Sequence, residues 1–269
     1  MEKAQPSNLR DKLLKPAADI RNLLCWGYPK FATIRFVADH AGLNTQERQI
    51  LVRVILPPDK THSRAKKSLD CTQLRGRVLL IDGYNVLLCI DSLLKGELMW
   101  LCDDGFIRDT RFYFGKRKQI SEIEEALETL LSFLAGAAPK AVSFLLDSQI
   151  SKSGELAGLI RKRLNEKGID GGAWTSKHVD FDLKRAGKLS GISSEKCTKS
   201  SSLNNLNKYL KRASKKDPEE LSANFSKYIY NEPLLIATSD GIIIDEVFEV
   251  LDIPGCLMEK KGLKAFKLH

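Results

Sequence analysis

Three apolar runs of strand length each end in an aspartate: 78–81 before Asp82, 141–146 before Asp147, and 234–239 before Asp240. Short apolar runs bounded by turn signals read as buried strands. Between them the apolar spacing changes to the helical period over 84–94, 120–134 and 154–166, and a further short strand is predicted at 173–177. Alternating strands and helices predict an α/β fold with a parallel sheet covered on both faces. The aspartates then fall on its carboxyl edge, where open sheets bind ligands. An Asp-Gly pair between apolar flanks predicts a β-hairpin over 98–108. Toward the end of the chain the pattern predicts a helix over 218–230, a short helix over 242–251 and a last strand over 255–258.

The first fifth of the chain has a different rhythm. Leu13, Leu14, Ala17, Ile20, Leu23 and Leu24 recur at helical spacing up to Gly27, with Pro16 either interrupting the helix or marking its first turn. A second helix is expected over 31–40. Asn44 and Glu47 form a capping-box signature for a third, which carries Ile50, Leu51, Val54 and Ile55 and stops at Pro57-Pro58. Three short helices permit a helix-turn-helix, although simple packing is the commoner outcome. The expected organisation is a helical domain over 1–58, a basic linker over 59–76 and an α/β domain over 77–269. Within the last, 184–216 holds ten Lys or Arg against one acid and is expected as a mobile or weakly helical insertion.

Composition narrows the function. No apolar run approaches the roughly 20 residues of a membrane span, and the first residues lack a signal-peptide pattern, so an intracellular, cytoplasmic protein is expected. Six cysteines without a C-x-x-C pair and four scattered histidines argue against a zinc site. Most of the thiols are expected free in a reducing compartment, with disulfides open for a hyperthermophile. A net charge of +9 favours a polyanionic partner, or serves solubility alone.

The chemistry concentrates on carboxylates. Asp82, Asp147 and Asp240, with Asp180 or Asp182 after the short strand, would share one sheet edge. Clustered carboxylates raise one another's pKa, and a divalent cation relieves that cost. Oxygen-only ligands select Mg²⁺ or Mn²⁺, with Asn85 placed to orient a water or phosphate. Each aspartate taken singly is also a good helix N-cap. A second group comprises Asp104, Arg108, Asp109, Ser151, Ser153 and Glu155. Here Arg108, Ser151 and Ser153 would bind substrate phosphate and Glu155 would add a ligand, or else Arg108 pairs with Asp109 or a neighbouring acid and Ser153 caps the helix at Gly154. Lys116 and Arg117, with Arg111, Lys118 and the basic insertion, suit a nucleic-acid backbone, or form a solvated charged face.

The stretch Leu79-Leu80-Ile81-Asp82-Gly83-Tyr84-Asn85-Val86-Leu87, followed by Phe144–Asp147, Asp180–Lys184 and Ile236–Asp240 in that order, resembles the NYN domains, a PIN-like branch of metal-dependent ribonucleases. The resemblance covers about residues 77–258. It implies a PIN-like three-layer sandwich with five parallel strands in the order 3-2-1-4-5, and a Mg²⁺/Mn²⁺ site at Asp82, Asp147, Asp180 and Asp240 with Asn85 in support. The chain also looks like a largely archaeal group that joins a helical N-terminal domain to such a sheet. It departs from the simplest pattern in its hairpin, in its basic insertion, and in lacking a second acid beside Asp240. The implied activity is RNA endonuclease, with an RNA- or ribosome-binding module of weakened site as the alternative. A haloacid-dehalogenase phosphatase is disfavoured because Tyr84 stands where a general acid is required. No phosphate loop indicates a nucleotide cofactor, and a homodimer is left open.

Overall fold

Leu13, Ala17, Ile20 and Leu24 form a fully or nearly buried stripe on one continuous helix, Pro6–Cys25 (α1). Pro16 lies inside that helix and neither breaks nor begins it. The buried stripe on both sides of it outweighs the roughly 3 kcal/mol that an interior proline costs. Lys30–His40 (α2) and Thr45–Val54 (α3) follow. α3 starts at the predicted capping box: the Asn44 side chain accepts from the Glu47 amide at 3.0 Å, and Glu47 accepts from the Asn44 amide at 2.8 Å.

The computed structural model describes residues 6–109, 120–190 and 234–269. The expected linker carries regular structure: a helix Pro58–Ala65 (α4), a strand Ser68–Leu69 (β1) and a 3-10 turn Cys71–Leu74. Pro58 stands in the first turn of α4, where its fixed φ favours the helix and its missing N–H costs nothing. The proline pair therefore starts an element as well as ending one.

Val78–Asp82 (β2) is buried along its whole length, the pattern of a strand covered on both faces. It leads into Gly83–Leu94 (α5), then the antiparallel hairpin Met99–Leu101 (β3) and Ile107–Asp109 (β4). Ile120–Ala137 (α6), Ala141–Asp147 (β5), Ser153–Glu166 (α7), Gly171–Ser176 (β6) and Val179–Ser190 (α8) continue the alternation. Leu234–Ala237 (β7), Gly241–Ile244 (α9), Val250–Leu251 (β8) and Ile253–Lys260 (α10) complete the described elements. β2 lies parallel between β5 and β7, with Val78 opposite Ala141 on one side and Leu234 on the other. β6 and β8 extend the sheet in parallel, and the full order is β1-β8-β7-β2-β5-β6. The fold is thus α/β with a mainly parallel sheet of six strands, not five, together with a helical N-terminal region. α7 packs on β5 and β6, and α8 packs across β2, β5, β6 and β7.

Three predicted elements differ. Residues 184–190 of the expected insertion belong to α8, while the rest of it and the helix expected over 218–230 lie outside the described residues. The helix over 242–251 is only the short α9, with β8 following. The strand over 255–258 is instead part of α10, since a four-residue apolar run has no period of its own and Pro254 suits a helix start.

The chain divides into two compact units. One comprises Met1–Ser68, Ser92–Lys116 and Pro254–His269, and the other comprises Leu69–Asp91 and Arg117–Ile253. The helical unit therefore extends well beyond residues 1–58. Its core joins α1–α3 to Trp100 and Cys102 of the hairpin and to Leu268. Phe266 exchanges backbone hydrogen bonds with Leu101 and Met99 and sets its ring 5.6 Å from Trp100. Cys25, Cys89 and Cys102 take no part in a disulfide, whereas Cys71 and Cys256 each do. Among the described residues no helix is long and apolar enough to cross a membrane.

Candidate functional site

Asp82 closes β2, and the chain turns at once into α5 through Gly83. A Cβ at Gly83 would stand 2.5 Å from the Leu146 side chain and 2.9 Å from the Leu145 carbonyl, so this close approach to β5 requires glycine. On the other side of β2, the Thr238 hydroxyl donates to Asp82 at 2.9 Å and accepts the Asp240 amide at 3.1 Å. The side-chain oxygen of Asn85 accepts both the amide and the hydroxyl of Ser239 at 2.9 Å. Segments 82–85 and 238–240 are therefore stitched together at the carboxyl ends of adjacent strands. Asp240 also caps α9 by accepting the Ile242 amide at 2.7 Å, and Asp147 accepts the Gln149 amide at 2.7 Å. The capping role is real for Asp240, while Asp147 closes a turn and leaves the N-cap of α7 to Lys152.

The electrostatics tie these aspartates together. Burial pushes the Asp82 carboxyl up to about 7, the Thr238 hydrogen bond opposes that rise, and the charges of Asp240 and Asp180 add to it. Asp180 is raised by burial and by Asp240, opposed by Lys184, and raised again by Asp147. The Tyr84 phenol is raised by burial and by the Asp147 charge. Asp82 is buried, Asp147 and Asp240 are half-buried, and Asp180 is exposed, so the set grades from the sheet interior to solvent. Asp182 is differently engaged: it accepts the hydroxyl of Ser176, whose oxygen accepts the His178 amide at 2.9 Å. Exposed Phe181 and Ile242 stand beside Asp180 and Asp240.

Among the described residues, no three His, Cys, Asp or Glu side chains converge closely enough to hold a metal ion. Mg²⁺ needs no such cage: it keeps most of its waters and is commonly held through one or two carboxylates. An oxygen-only edge, with Asp82 pushed up to about 7 by burial first and then by the charges of Asp240 and Asp180, has the donor chemistry of a hydrated hard cation of that kind.

The second predicted group does not assemble as expected. Arg108 is only 3% exposed and grips the two oxygens of buried Asp104 at 2.7 Å each, while Arg64 reaches Asp104 at 3.2 Å. Burial would raise the Asp104 carboxyl, but Arg108 and then Arg64 hold it below its ordinary value. Arg108 is thus an interior ion-pair residue of the helical unit and not a substrate contact, and its partner is Asp104 rather than Asp109, which accepts from Ser92. Ser151 is exposed in a turn. Ser153 is buried as the first residue of α7 and makes no cap, and Glu155 lies 3.9 Å from Lys152 at the surface. Lys116 and Arg117, with Arg111 and Lys118, lie outside the described residues. The sequence pattern gives Ser176 no role, and it gives Thr238 and Ser239 a place only within the Ile236–Asp240 motif. Thr238 and Ser239 were visible as hydroxyl residues directly before Asp240, whereas Ser176 carried no signal.

Residues 71–196 match a family described as "Domain of unknown function (DUF5616)", which takes in Asp82, Asn85, Asp147, Asp180 and Asp182. Residues 12–67 match one described as "Protein of unknown function (DUF434)". No solved structure matches the chain. The chain is 34% identical to the uncharacterized protein MJ0935 of Methanocaldococcus jannaschii over 170 residues, or 63% of this chain and 81% of that protein. On that extent of likeness, the chain belongs to the same family as MJ0935.

Proposed function

We propose that this protein is a metal-dependent ribonuclease that hydrolyses RNA phosphodiesters at the carboxylate edge of a PIN-like sheet. The observation that carries the reading is Asp82: a buried carboxylate at the end of a central strand, raised to about 7 by burial and by neighbouring acids. Such a cost, concentrated at one sheet edge, is characteristic of functional sites. The strand order supports the PIN-like part. Counted from β2, the chain adds β5 and β6 on one side and β7 and β8 on the other, with β1 as an addition.

Asp82 and Asp240 would hold a hydrated Mg²⁺ or Mn²⁺, and Asp147 and Asp180 would add negative charge beside it and accept from its waters. The bound ion supplies Lewis acidity toward phosphoryl oxygen and lowers the pKa of water. Thr238 favours the ionised form of Asp82 and fixes its direction. Asn85, pinned through its oxygen by Ser239, keeps its amide donors for water or phosphate. Asp180 suits the site better than Asp182, because Asp240 and Asp147 act on it while Asp182 braces Ser176.

The test is Mn²⁺-dependent cleavage of mixed structured and single-stranded RNA by wild type, Asp82→Asn and Asp240→Asn. Metal-dependent products that vanish in both variants are expected. A second reading is an RNA-binding module without cleavage, in which the carboxylate edge is catalytically weak. RNA binding that survives EDTA, with no products from clean wild type, would decide for it.

A further inference from the structure

The helical unit carries four exposed aromatic rings between residues 26 and 36 that its own core does not use. Trp26 is 74% exposed, Tyr28 57%, Phe31 73% and Phe36 70%. Trp26 and Tyr28 sit in the turn from α1 to α2, where both amides donate to the Leu23 carbonyl at 3.1 Å and Gly27 takes a φ of 86°. Phe31 lies in the first turn of α2, and Arg35, one turn on, has its side chain 85% exposed. α2 turns Thr33, Ile34, Val37 and Ala38 inward, so core packing fixes which face carries the rings. The surroundings are basic. Arg35 lies 4.0 Å from Asp39, Arg21 pairs with Asp103 at 2.7 Å and Lys30 is half-buried, so the excess belongs to the wider segment: residues 12–67 hold eleven Lys or Arg against four Asp or Glu. That difference of +7 is most of the +9 of the whole chain.

We propose that this surface binds single-stranded RNA, with the rings of Trp26, Tyr28 and Phe31 stacking on bases while Arg35 and the surrounding cations meet the backbone. The naming of RNA rests on the reading of the carboxylate edge; the aromatic and basic character does not. Stacking on exposed rings needs unpaired bases, which a duplex withholds. A protein partner or a second copy would cover the rings but would have to offset an excess of like charge, and charged residues are depleted from the centres of such interfaces.

The experiment is fluorescence anisotropy of a labelled oligo(U) of about 12 nucleotides, in EDTA to suppress cleavage. It compares wild type with Trp26→Ala/Phe31→Ala and with Arg35→Glu. Both variants alter exposed side chains only, so circular dichroism and melting should match wild type. The double variant is expected to raise Kd at least tenfold, Arg35→Glu to raise it less, and wild-type Kd to climb with salt. Tryptophan fluorescence should be quenched by oligo(U) and not by a duplex, with that difference lost in Trp26→Ala. Unchanged Kd in the double variant overturns the proposal. So does a wild-type dimer that becomes monomeric in the double variant with RNA affinity intact, which would assign the surface to a second copy. If no protein cleaves RNA but the rings still set affinity, the nuclease reading fails and this one stands. Cleavage with ring-independent binding gives the reverse.

Discussion

The Thr238 hydroxyl donates a 2.9 Å hydrogen bond to Oδ2 of Asp82, 156 positions earlier in the chain. The bond joins the ends of two neighbouring parallel strands and favours the ionised carboxylate against the burial that disfavours it. It also gives a threonine without charge a direct hold on the protonation of the central acid.

Thr238→Val keeps the shape and removes the donor. Ionisation of Asp82 becomes harder, so the acid limb of the Mn²⁺-dependent pH–rate profile should move to higher pH. The rate loss should be largest below pH 7 and shrink above it, with stability reduced by about 1 kcal/mol. A uniform loss at all pH values would assign Thr238 a packing role instead.

Asp82→Asn should stabilise the metal-free protein at alkaline pH. Below its ordinary value of 3.8 the carboxyl is protonated in both folded and unfolded chains. Between 3.8 and about 7 the unfolded chain releases the proton and the folded one retains it, so wild-type stability falls as pH rises through that window. The deficit is complete above pH 7 and amounts to at most about 4 kcal/mol at 1.36 kcal/mol per pKa unit. Urea denaturation at pH 8 in EDTA should therefore favour the asparagine variant, and the gap should close toward pH 4. Added Mn²⁺ should raise the wild type more than the variant.

Gly83→Ala drives a methyl group against Leu146 and the Leu145 carbonyl. Overpacking of this kind costs about 1–3 kcal/mol, and the backbone shift that relieves it falls on the residue next to Asp82. Loss of both stability and activity is expected, the first by urea denaturation and the second by the cleavage assay. An alanine variant with wild-type stability would show that β5 yields at this point.

Asp104→Ala removes an anion held between two guanidinium groups, Arg108 at 2.7 Å and Arg64 at 3.2 Å. Removing one partner of a buried ion pair costs about 3–5 kcal/mol, and that loss should appear in chemical denaturation of the full chain. Oligo(U) binding per folded molecule should not change, because Asp104 and Arg108 are interior residues.

What was legible in the sequence was local. The capping box of Asn44 and Glu47 spans three residues, and its hydrogen bonds form wherever that segment becomes helical. The apolar runs before Asp82, Asp147 and Asp240 declare buried strands, and parallel strands carry their following residues to one edge. Those two facts led to the expectation that the three aspartates, with Asp180 or Asp182, share one sheet edge. Only the tertiary structure decided what each polar group does there. Asp82 meets Thr238 because the register of β2 against β7 sets Ile81 opposite Ala237, a pairing that no local pattern encodes. Ser176 takes Asp182, and the charges around Asp180 separate two acids that looked equivalent. Arg108 lies inside with buried Asp104, whose two oxygens it holds at 2.7 Å, while Trp100, Cys102 and Leu268 join the core of α1 to α3. Residues 255–258 became helix because four apolar residues have no period of their own. Periodicity and caps are short-range properties of the chain, whereas register, burial and charge pairing are set by groups far apart in sequence.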